Sequence, residues 1–339
     1  MTSWEERSEE SITAAMPSRA AIIRIIKMAN SLMFPRFYRP DAECQSVGVE
    51  LLHELFDLIC EEISKALCAK GRQAFYESSK AATGDFSSLG CKDRTALQNG
   101  FFNPEHKEGT EAHLSTSNTN GCNPQTQDVA QRYAANAESG QPYLKTSLSE
   151  VESLAYGIVG EIPRLKRALL KDVNAIYSGD PAAHSAEEVI LSYPGFYVIS
   201  IYRLAHEFYI RSIPYIPRVM TEFAHEKTGI DIHPGAKIGE SFCIDHGTGI
   251  VIGETATIGD RVKIYQGVTL GAKSISKSRT ENAEEKKKRH PDIGDDTVIY
   301  ANATILGGNT RVGRGCIIGG NVWLTHSIPD GEKVYYTPK

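Results

Sequence analysis

The chain has 339 residues, of which 41% are apolar and 23% are charged, and its formal net charge is −5. This is enough apolar sequence for a large core, and the acidic balance lacks the basic surface expected of a nucleic-acid-binding protein. Its 7 cysteines have no C-x-x-C spacing, which favours reduced thiols over a disulfide framework or a zinc site. With no signal-peptide pattern and no apolar run long enough for a bilayer, we expect a cytoplasmic protein with neither a nucleic-acid nor a membrane partner.

The N-terminal part of the chain is predicted to be helical. Apolar residues recur three and four positions apart over residues 20–34 and 47–71, which places them on one face of an amphipathic helix. Residues 83–141 are rich in Gly, Ser, Thr, Asn and Gln, a composition that buries little apolar surface. We therefore expect a flexible insert between two helical regions.

Helices are expected again after the insert. They cover Ser147 to Leu165, the residues that follow Ser185, residues 197–210 and about 217–227. Ser147 and Ser185 each begin an S-x-x-E sequence, which is a capping box at a helix N-terminus. Gly229 follows as a helix stop. These patterns assign residues 1–228 to an all-α domain.

The sequence period then changes from helical spacing to six. The apolar series are Ile232, Ile238, Ile244 and Ile250; Ile252, Ile258, Ile264 and Leu270; Ile293, Ile299 and Ile305; and Leu306, Val312, Ile318 and Leu324. Ordinary strands with glycine turns would be spaced less regularly. A hexapeptide period is typical of a parallel β-helix, in which each unit forms one short strand and one corner. We therefore expect an α+β chain with a β-helix over residues 229–327 and a short tail over 328–339.

Three sequence motifs allow a more specific prediction than the β-helix alone. They are DIHPGAKIG from Asp231, DHGTGIVIGETA from Asp245 and RHPDIGD from Arg289. Together with the helical N-terminal region, they resemble the serine O-acetyltransferases of the hexapeptide-repeat acyltransferase superfamily, over about residues 174–324. The resemblance implies a left-handed β-helix, a homotrimer or a hexamer of two trimers, and transfer of acetyl from acetyl-CoA to L-serine in cysteine biosynthesis.

The reaction requires a base, because a serine hydroxyl must lose its proton as it attacks a thioester. A histidine near its ordinary pKa suits that role. The resemblance assigns the base to His246, its orienting carboxylate to Asp231 and a second active-site histidine to His290. It implies no enzyme nucleophile, so we expect direct transfer.

The resemblance also implies the substrate contacts. Asp180 and Asp245 would hold the amino group of serine, with Pro181 beside Asp180. The guanidinium of Arg289 would hold the carboxylate through two parallel hydrogen bonds.

Four further residues are expected at acetyl-CoA, the co-substrate, and no metal is implied. Gly271 and Ala272 match the backbone near the thioester, where an N–H can stabilise an oxyanion. Ala301 and Gly320 match positions beside the pantetheine groove. In the family the site lies between adjacent β-helices, and L-cysteine commonly acts as a feedback inhibitor.

Two features depart from the family pattern. The segment 273–289 is longer than in many relatives, so the cover over the groove is expected to differ. Many relatives end in an isoleucine that docks into cysteine synthase, whereas this sequence ends in Lys339. We therefore expect a weak complex of that kind or none.

Three other functions are compatible with a hexapeptide-repeat sequence. A sugar or antibiotic O-acetyltransferase would use the same repeats and base with another acceptor. A zinc carbonic anhydrase on a β-helix would require three converging histidines. A non-catalytic repeat scaffold would have no need of His246, Asp231, Arg289 and His290 together.

Overall fold

The computed structural model describes residues 16–38, 46–83, 148–273 and 288–336. The chain divides into two compact units, one of residues 1–67 and 146–339 and the other of residues 68–145. The predicted insert over 83–141 lies outside the described residues except for its first residue, and the domain boundary at residue 228 stays a prediction. No helix of the described ranges is both long and apolar enough to cross a membrane.

The described helices come first in the chain. They are α1 (Arg19–Met33), α2 (Pro35–Tyr38), α3 (Ser46–Thr83), α4 (Leu148–Val159), α5 (Ile162–Gly179), α6 (Ala186–Ser192), α7 (Pro194–Ile210) and α8 (Ile216–Thr228). The predicted helices at 20–34 and 47–71 are confirmed as α1 and α3, and α3 continues beyond its predicted end. In α1 the residues Ile22, Ile25 and Ala29 are fully buried, as their spacing on one face requires.

The prediction of one helical run from Ser147 to Leu165 is wrong in one respect. The run breaks between α4, which ends at Val159, and α5, which begins at Ile162. Proline occupies the first turn of α5, the one part of a helix where a missing N–H is harmless. Both helices bury their apolar residues in the same core, so the periodicity continues through the break.

Two predicted helix boundaries are confirmed. The hydroxyl of Ser185 accepts a 3.1 Å hydrogen bond from the backbone N–H of Glu188 and caps α6. Gly229 ends α8 with a φ of 68°, a left-handed conformation that glycine adopts without steric cost. The predicted N-cap Ser147 lies outside the described residues.

Short strands follow α8. They are β1 (Asp231–Ile232), β2 (Lys237–Ile238), β3 (Cys243–Asp245), β4 (Val251–Ile252), β5 (Thr257–Ile258), β6 (Lys263–Tyr265), β7 (Thr269–Gly271), β8 (Asp292–Ile293), β9 (Val298–Ile299), β10 (Thr304–Leu306), β11 (Arg311–Val312), β12 (Ile317–Ile318), β13 (Trp323–Leu324) and β14 (Lys333–Val334). They form three parallel sheets, in the orders β1-β4-β7-β10-β13 (sheet A), β2-β5-β8-β11 (sheet B) and β3-β6-β9-β12-β14 (sheet C). The first four coils each contribute one strand to each sheet in turn, and the last coil contributes β13 to sheet A and β14 to sheet C, consistent with the predicted left-handed β-helix.

The repeated apolar residues fill the interior of the prism. In sheet C, Ile244 pairs with Ile264 and Ile264 pairs with Ile299, and all three side chains are buried. Removing a side chain of this size from water contributes about 1.5–3 kcal/mol each. The hexapeptide period is therefore the spacing at which one position per strand faces the core.

The corner between β3 and β4 interrupts the period. Eight positions separate the core residues Ile244 and Ile252 across this corner, whereas six separate Ile264 and Leu270 one coil above. The enlarged corner contains His246 and Gly247, both with positive φ, at 58° and 91°. The slip of two in the sequence period thus marks a protruding corner that presents a histidine.

A buried ion pair fixes α5 and α7 against the first coil. Asp172 on α5 accepts hydrogen bonds of 2.7 and 2.9 Å from the guanidinium of Arg203 on α7, and one of 2.9 Å from the N–H of Phe242. Arg203 also donates 2.7 Å to the carbonyl of Gly239. These contacts hold the C-terminal end of α5 beside sheet C, where the candidate site begins.

Candidate active site

Two substrate-binding residues of the sequence prediction meet at the corner between sheets C and A. We call this the His246 corner; it includes Asp180, Asp245, His246 and Lys263. Asp245 ends β3, and His246 follows it. The ring Nε2 of His246 lies 3.5 Å from Oδ1 of Asp245. The ammonium of Lys263 donates 2.9 Å to Oδ2 of Asp245 and 2.6 Å to the carbonyl of Gly179, the residue before Asp180.

Asp180 is held by two donors of its own chain. Its Oδ2 accepts a 2.7 Å hydrogen bond from the hydroxyl of Tyr193, and its Oδ1 accepts 2.9 Å from the N–H of Ala182 across the turn that contains Pro181. The hydrogen bond from Tyr193, followed by that from Ala182, lowers the pKa of Asp180. The same bond raises the pKa of Tyr193 to about 12. Asp180 is therefore an ionised carboxylate at neutral pH.

His246 is accessible from outside the prism. Its side chain is 72% exposed, and its carboxylate neighbour is Asp245. Asp231 stands at the start of β1, in register with Val251 of the next coil. Its predicted hydrogen bond to His246 stays a prediction, because the contact that the structure places on the ring is with Asp245.

A thiol lies under this corner but is chemically quiet. Cys243 on β3 is buried, and burial raises its pKa to about 12. It is therefore a neutral thiol at physiological pH, so it is not an activated nucleophile.

The second predicted histidine lies at the other end of sheet A, at the corner with sheet B. We call this the His290 corner; it includes Glu254, Thr255, Arg289 and His290. The backbone N–H of Thr255 donates 3.0 Å to Nδ1 of His290, and the Thr255 hydroxyl lies 2.8 Å from the same nitrogen. Burial, and then the charge of Arg289, lower the pKa of His290 to about 4. Since Nδ1 accepts, the proton of the neutral ring is on Nε2, and His290 is a hydrogen-bond donor rather than a base.

Arg289 is fixed through a chain of hydrogen bonds to the helical region. Its guanidinium contacts Oε2 of Glu254 at 2.6 Å, and Oε1 of Glu254 accepts 2.7 Å from the hydroxyl of Tyr209 on α7. About half of the Arg289 side chain stays exposed. The remaining guanidinium face is available to an anion such as a carboxylate.

The four residues predicted at acetyl-CoA divide between the same two corners. Gly271 ends β7 and, with Ala272, lies toward the His290 corner. Ala301 and Gly320 lie between sheets C and A, where the N–H of Asn321 donates 3.0 Å to the carbonyl of Ala301. They stack on successive coils above the His246 corner.

The predicted site residues thus form two groups rather than one pocket within a chain. Strand β4 (Val251–Ile252) and its flanking residues separate Gly247 at one corner from Gly253 at the other, six positions apart. The first half of this stretch is a turn, closed by the 3.0 Å hydrogen bond from the N–H of Ile250 to the carbonyl of Gly247, and the extended part from Ile250 to Gly253 spans about 10 Å. A base at one corner and a carboxylate-binding arginine at the other therefore stand at opposite ends of sheet A.

No family model matches the chain. A serine acetyltransferase of Bacillus licheniformis is 45% identical over 172 residues, which is 51% of this chain and 75% of that protein. The serine acetyltransferase of Bacillus subtilis is 44% identical over the same length, again 75% of that protein.

The chain belongs to the serine acetyltransferase family.

A plasmid serine acetyltransferase of Synechococcus elongatus is 58% identical over 171 residues, but the match spans 53% of that protein, about half its length. Among solved structures, Entamoeba histolytica serine acetyltransferase 1 in complex with L-cysteine matches with a TM-score of 0.61 and 28% identity, over 92% of this chain and 86% of that one. The native form of that protein matches at 0.52 and 39% identity, over 62% and 76%. The family and fold predictions are confirmed.

Several polar residues of the two corners were not predicted from the sequence. Glu254 and Thr255 lie inside the GETA motif, so their position was a usable signal. Tyr193, Tyr209 and Lys263 lie outside the three sequence motifs. Their hydrogen-bond partners, Asp180, Glu254 and Gly179, are 13, 45 and 84 positions away in the sequence. A local sequence pattern does not indicate contacts between residues so far apart in the chain.

Proposed function

We propose that this chain is a serine O-acetyltransferase, which transfers acetyl from acetyl-CoA to the hydroxyl of L-serine and yields O-acetyl-L-serine and CoA. The observation that carries the proposal is the His246 corner, where an exposed imidazole stands beside the carboxylates Asp245 and Asp180 in a chain of this family. A base next to two anionic groups suits an acceptor that has both a hydroxyl and an ammonium group.

In the proposed mechanism His246 removes the proton of the serine hydroxyl as the oxygen attacks the thioester carbon. Asp180 and Asp245 bind the serine ammonium, and an adjacent carboxylate, Asp245 or Asp231, stabilises the imidazolium. The tetrahedral oxyanion accepts from a backbone N–H near Gly271. When the carbon–sulfur bond breaks, the proton passes from His246 to the thiolate of CoA. Transfer is direct, and the protonated thiol of Cys243 supports this.

We infer that the complete site forms between two chains. Arg289 and the Nε2–H of His290 would bind the serine carboxylate, yet they lie at the opposite end of sheet A from His246. A neighbouring β-helix, placed with its His290 corner against the His246 corner, would supply them. This supports a homotrimer, or a hexamer of two trimers, in which each cleft contains one site.

We further propose that L-cysteine competes for the acceptor pocket. Cysteine carries the same ammonium and carboxylate groups as serine, with a thiol in place of the hydroxyl. The solved Entamoeba histolytica serine acetyltransferase 1 contains L-cysteine. The same two charged groups of the ligand would contact Asp180, Asp245 and Arg289 here.

The test measures release of the CoA thiol from acetyl-CoA with L-serine and with a panel of sugar and amino-alcohol acceptors. We expect serine-dependent release that falls by about 10²–10⁴ in His246→Ala, the range typical of a lost general base. His225→Ala is the matched control, because His225 is an exposed histidine on α8 outside both corners. Release with a sugar but not with serine would leave the mechanism standing and overturn the substrate.

A further inference from the structure

Lys263 occupies an unusual position behind the His246 corner. It begins β6 in register with Cys243 of the coil below, and its side chain is only 16% exposed. The ammonium contacts the carbonyl of Gly179 at 2.6 Å and Oδ2 of Asp245 at 2.9 Å. It also lies 4.5 Å from the centre of the Tyr265 ring, which in turn stacks on Tyr300.

These contacts join the two segments that carry the proposed ammonium-binding carboxylates. Gly179 is the last residue of α5, and Asp180 follows it directly. Asp245 is the last residue of β3. One ammonium therefore couples the end of a helix in the helical region to a strand of the β-helix, at the point where both present an acid.

The ammonium is also stably charged. Burial by itself favours the neutral amine, but the hydrogen bonds to Tyr265 and Asp245 outweigh it, and the net pKa of Lys263 is raised. A buried lysine ammonium needs hydrogen-bond acceptors, and here the carbonyl of Gly179 and Oδ2 of Asp245 accept from it.

The net charge of the corner complements the ammonium group of an amino acid. Asp180 and Asp245 contribute two negative charges, and Lys263 offsets one of them. The corner keeps one net negative charge, which suits a single ammonium. Because Lys263 occupies Oδ2 of Asp245, the other oxygen remains on the side of the His246 ring, 3.5 Å from Nε2.

We propose that Lys263 is a positioning residue for the acceptor substrate, which orients Asp245 relative to Asp180 so that the two carboxylates bind one ammonium beside His246. This inference rests on the proposed function, since it assigns the same pocket to an amino-acid acceptor. Lys263 acts through Asp245 and the Gly179 carbonyl, so its loss affects binding of the acceptor more than the chemical step or acetyl-CoA.

The experiment determines kcat and the KM for each substrate in Lys263→Met, Lys263→Gln and Lys263→Arg. We expect the KM for L-serine to rise about tenfold in Lys263→Met, the scale of one charge-assisted hydrogen bond. The kcat and the KM for acetyl-CoA should stay within about twofold of the parent values, and Lys263→Arg should recover most of the affinity because it can reach both acceptors. Lys237→Met is the matched control, since Lys237 is an exposed lysine that begins β2 in sheet B.

A double substitution tests whether the effect passes through Asp245. In an Asp245→Asn background, Lys263→Met should lower kcat/KM for serine by less than it does in the parent chain, because only the contact with the Gly179 carbonyl is then lost. Thermal unfolding of each variant shows whether a kinetic change is caused by loss of structure. If Lys263→Met does not fold, the serine KM of Lys263→Gln is compared with that of Lys263→Arg instead.

The outcomes distinguish the two proposals. A parent protein that neither binds nor acetylates L-serine overturns the proposed function, and the role of Lys263 with it. A parent that acetylates serine, with folded Lys263 variants whose serine KM stays within twofold, overturns the role of Lys263 alone. A fall in kcat together with equal rises in both KM values would indicate a structural role for Lys263 and would also overturn the positioning role.

Discussion

The hydroxyl of Tyr193 donates a 2.7 Å hydrogen bond to Oδ2 of Asp180, across the segment between α5 and α7 that contains the short helix α6. The bond joins a residue at the start of α7 to a proposed substrate carboxylate, and it lowers the pKa of that carboxylate. It leaves Asp180 ionised and its orientation fixed before any substrate arrives. Preorganisation of this kind lowers the free-energy cost of binding.

We therefore expect Tyr193→Phe to raise the KM for L-serine about threefold to tenfold, with a smaller change in kcat. The lost bond is to a charged but partly exposed acceptor, which limits its contribution to about 1 kcal/mol. Steady-state kinetics with varied serine measures the effect. Tyr177→Phe is the control, because Tyr177 is an exposed tyrosine of α5; a serine KM that changes equally in both variants would contradict the assignment.

The buried state of His290 predicts a pH dependence of stability. Its pKa is about 4 in the folded chain and 6.5 in its ordinary state. Below pH 6.5 the unfolded chain takes up a proton that the folded chain does not, so stability falls as the pH decreases from about 6.5 to 4. The loss approaches about 3 kcal/mol at the acid end.

The measurement is thermal unfolding between pH 7 and pH 4, with His290→Asn as the comparison. Asparagine retains an acceptor near the position of Nδ1 but does not titrate. We expect the melting temperature of the parent protein to fall more steeply with acid than that of the variant. Parallel curves would show that His290 is already protonated or is exposed in the folded chain.

The separation of the two corners predicts complementation between inactive chains. His246→Ala and Arg289→Ala should each be inactive alone. If each site takes its base from one chain and its arginine from the next, unselected random mixing restores about one quarter of the sites, and a trimer that contains both variants has about one third of its sites restored.

Co-expression of the two variants with different affinity tags, followed by purification through both tags, provides the mixed oligomer. CoA release then measures restored activity. A mixed oligomer without activity, from variants that assemble normally, would place the whole site within one chain.

The buried pair Asp172–Arg203 predicts a large stability effect without a direct effect on chemistry. Asp172 is fully buried and accepts from Arg203 and from the N–H of Phe242. Asp172→Asn leaves a buried guanidinium without its counter-charge, and we expect a loss of about 3 kcal/mol or more in the free energy of unfolding.

Urea unfolding measures this difference. Asp296→Asn is the matched control, because it breaks an exposed ion pair with Arg261 and should cost less than about 1 kcal/mol. A similar loss in both variants would mean that the buried pair does not fasten α5 to the β-helix.

Much of the fold followed from local pattern. A period of six sets which side chain of each strand faces inward, so Ile244, Ile264 and Ile299 could be assigned to the core from the sequence alone. Helix ends at Ser185 and Gly229 followed from capping chemistry. The break between α4 and α5 did not, because both helices bury their apolar faces in one core and so keep the same period.

The candidate site was only partly accessible from sequence. The motifs that contain His246 and Arg289 carry the family resemblance, and the slip of two positions in the period coincides with the corner that presents His246. Nothing local indicated that these two residues lie at opposite ends of sheet A. The expectation of a site between adjacent β-helices came from the family resemblance, and the placement of the two residues supports it as a proposal.

The sequence by itself determined the β-helix, its phase and the family, because these depend on spacing along the chain and on short contiguous motifs. The tertiary structure decided which charges meet. Lys263 reaches Gly179 and Asp245 only because β6 stacks on β3 and α5 ends beside them, 84 positions earlier in the chain. Contacts of that kind depend on how distant segments pack, and no local pattern encodes them.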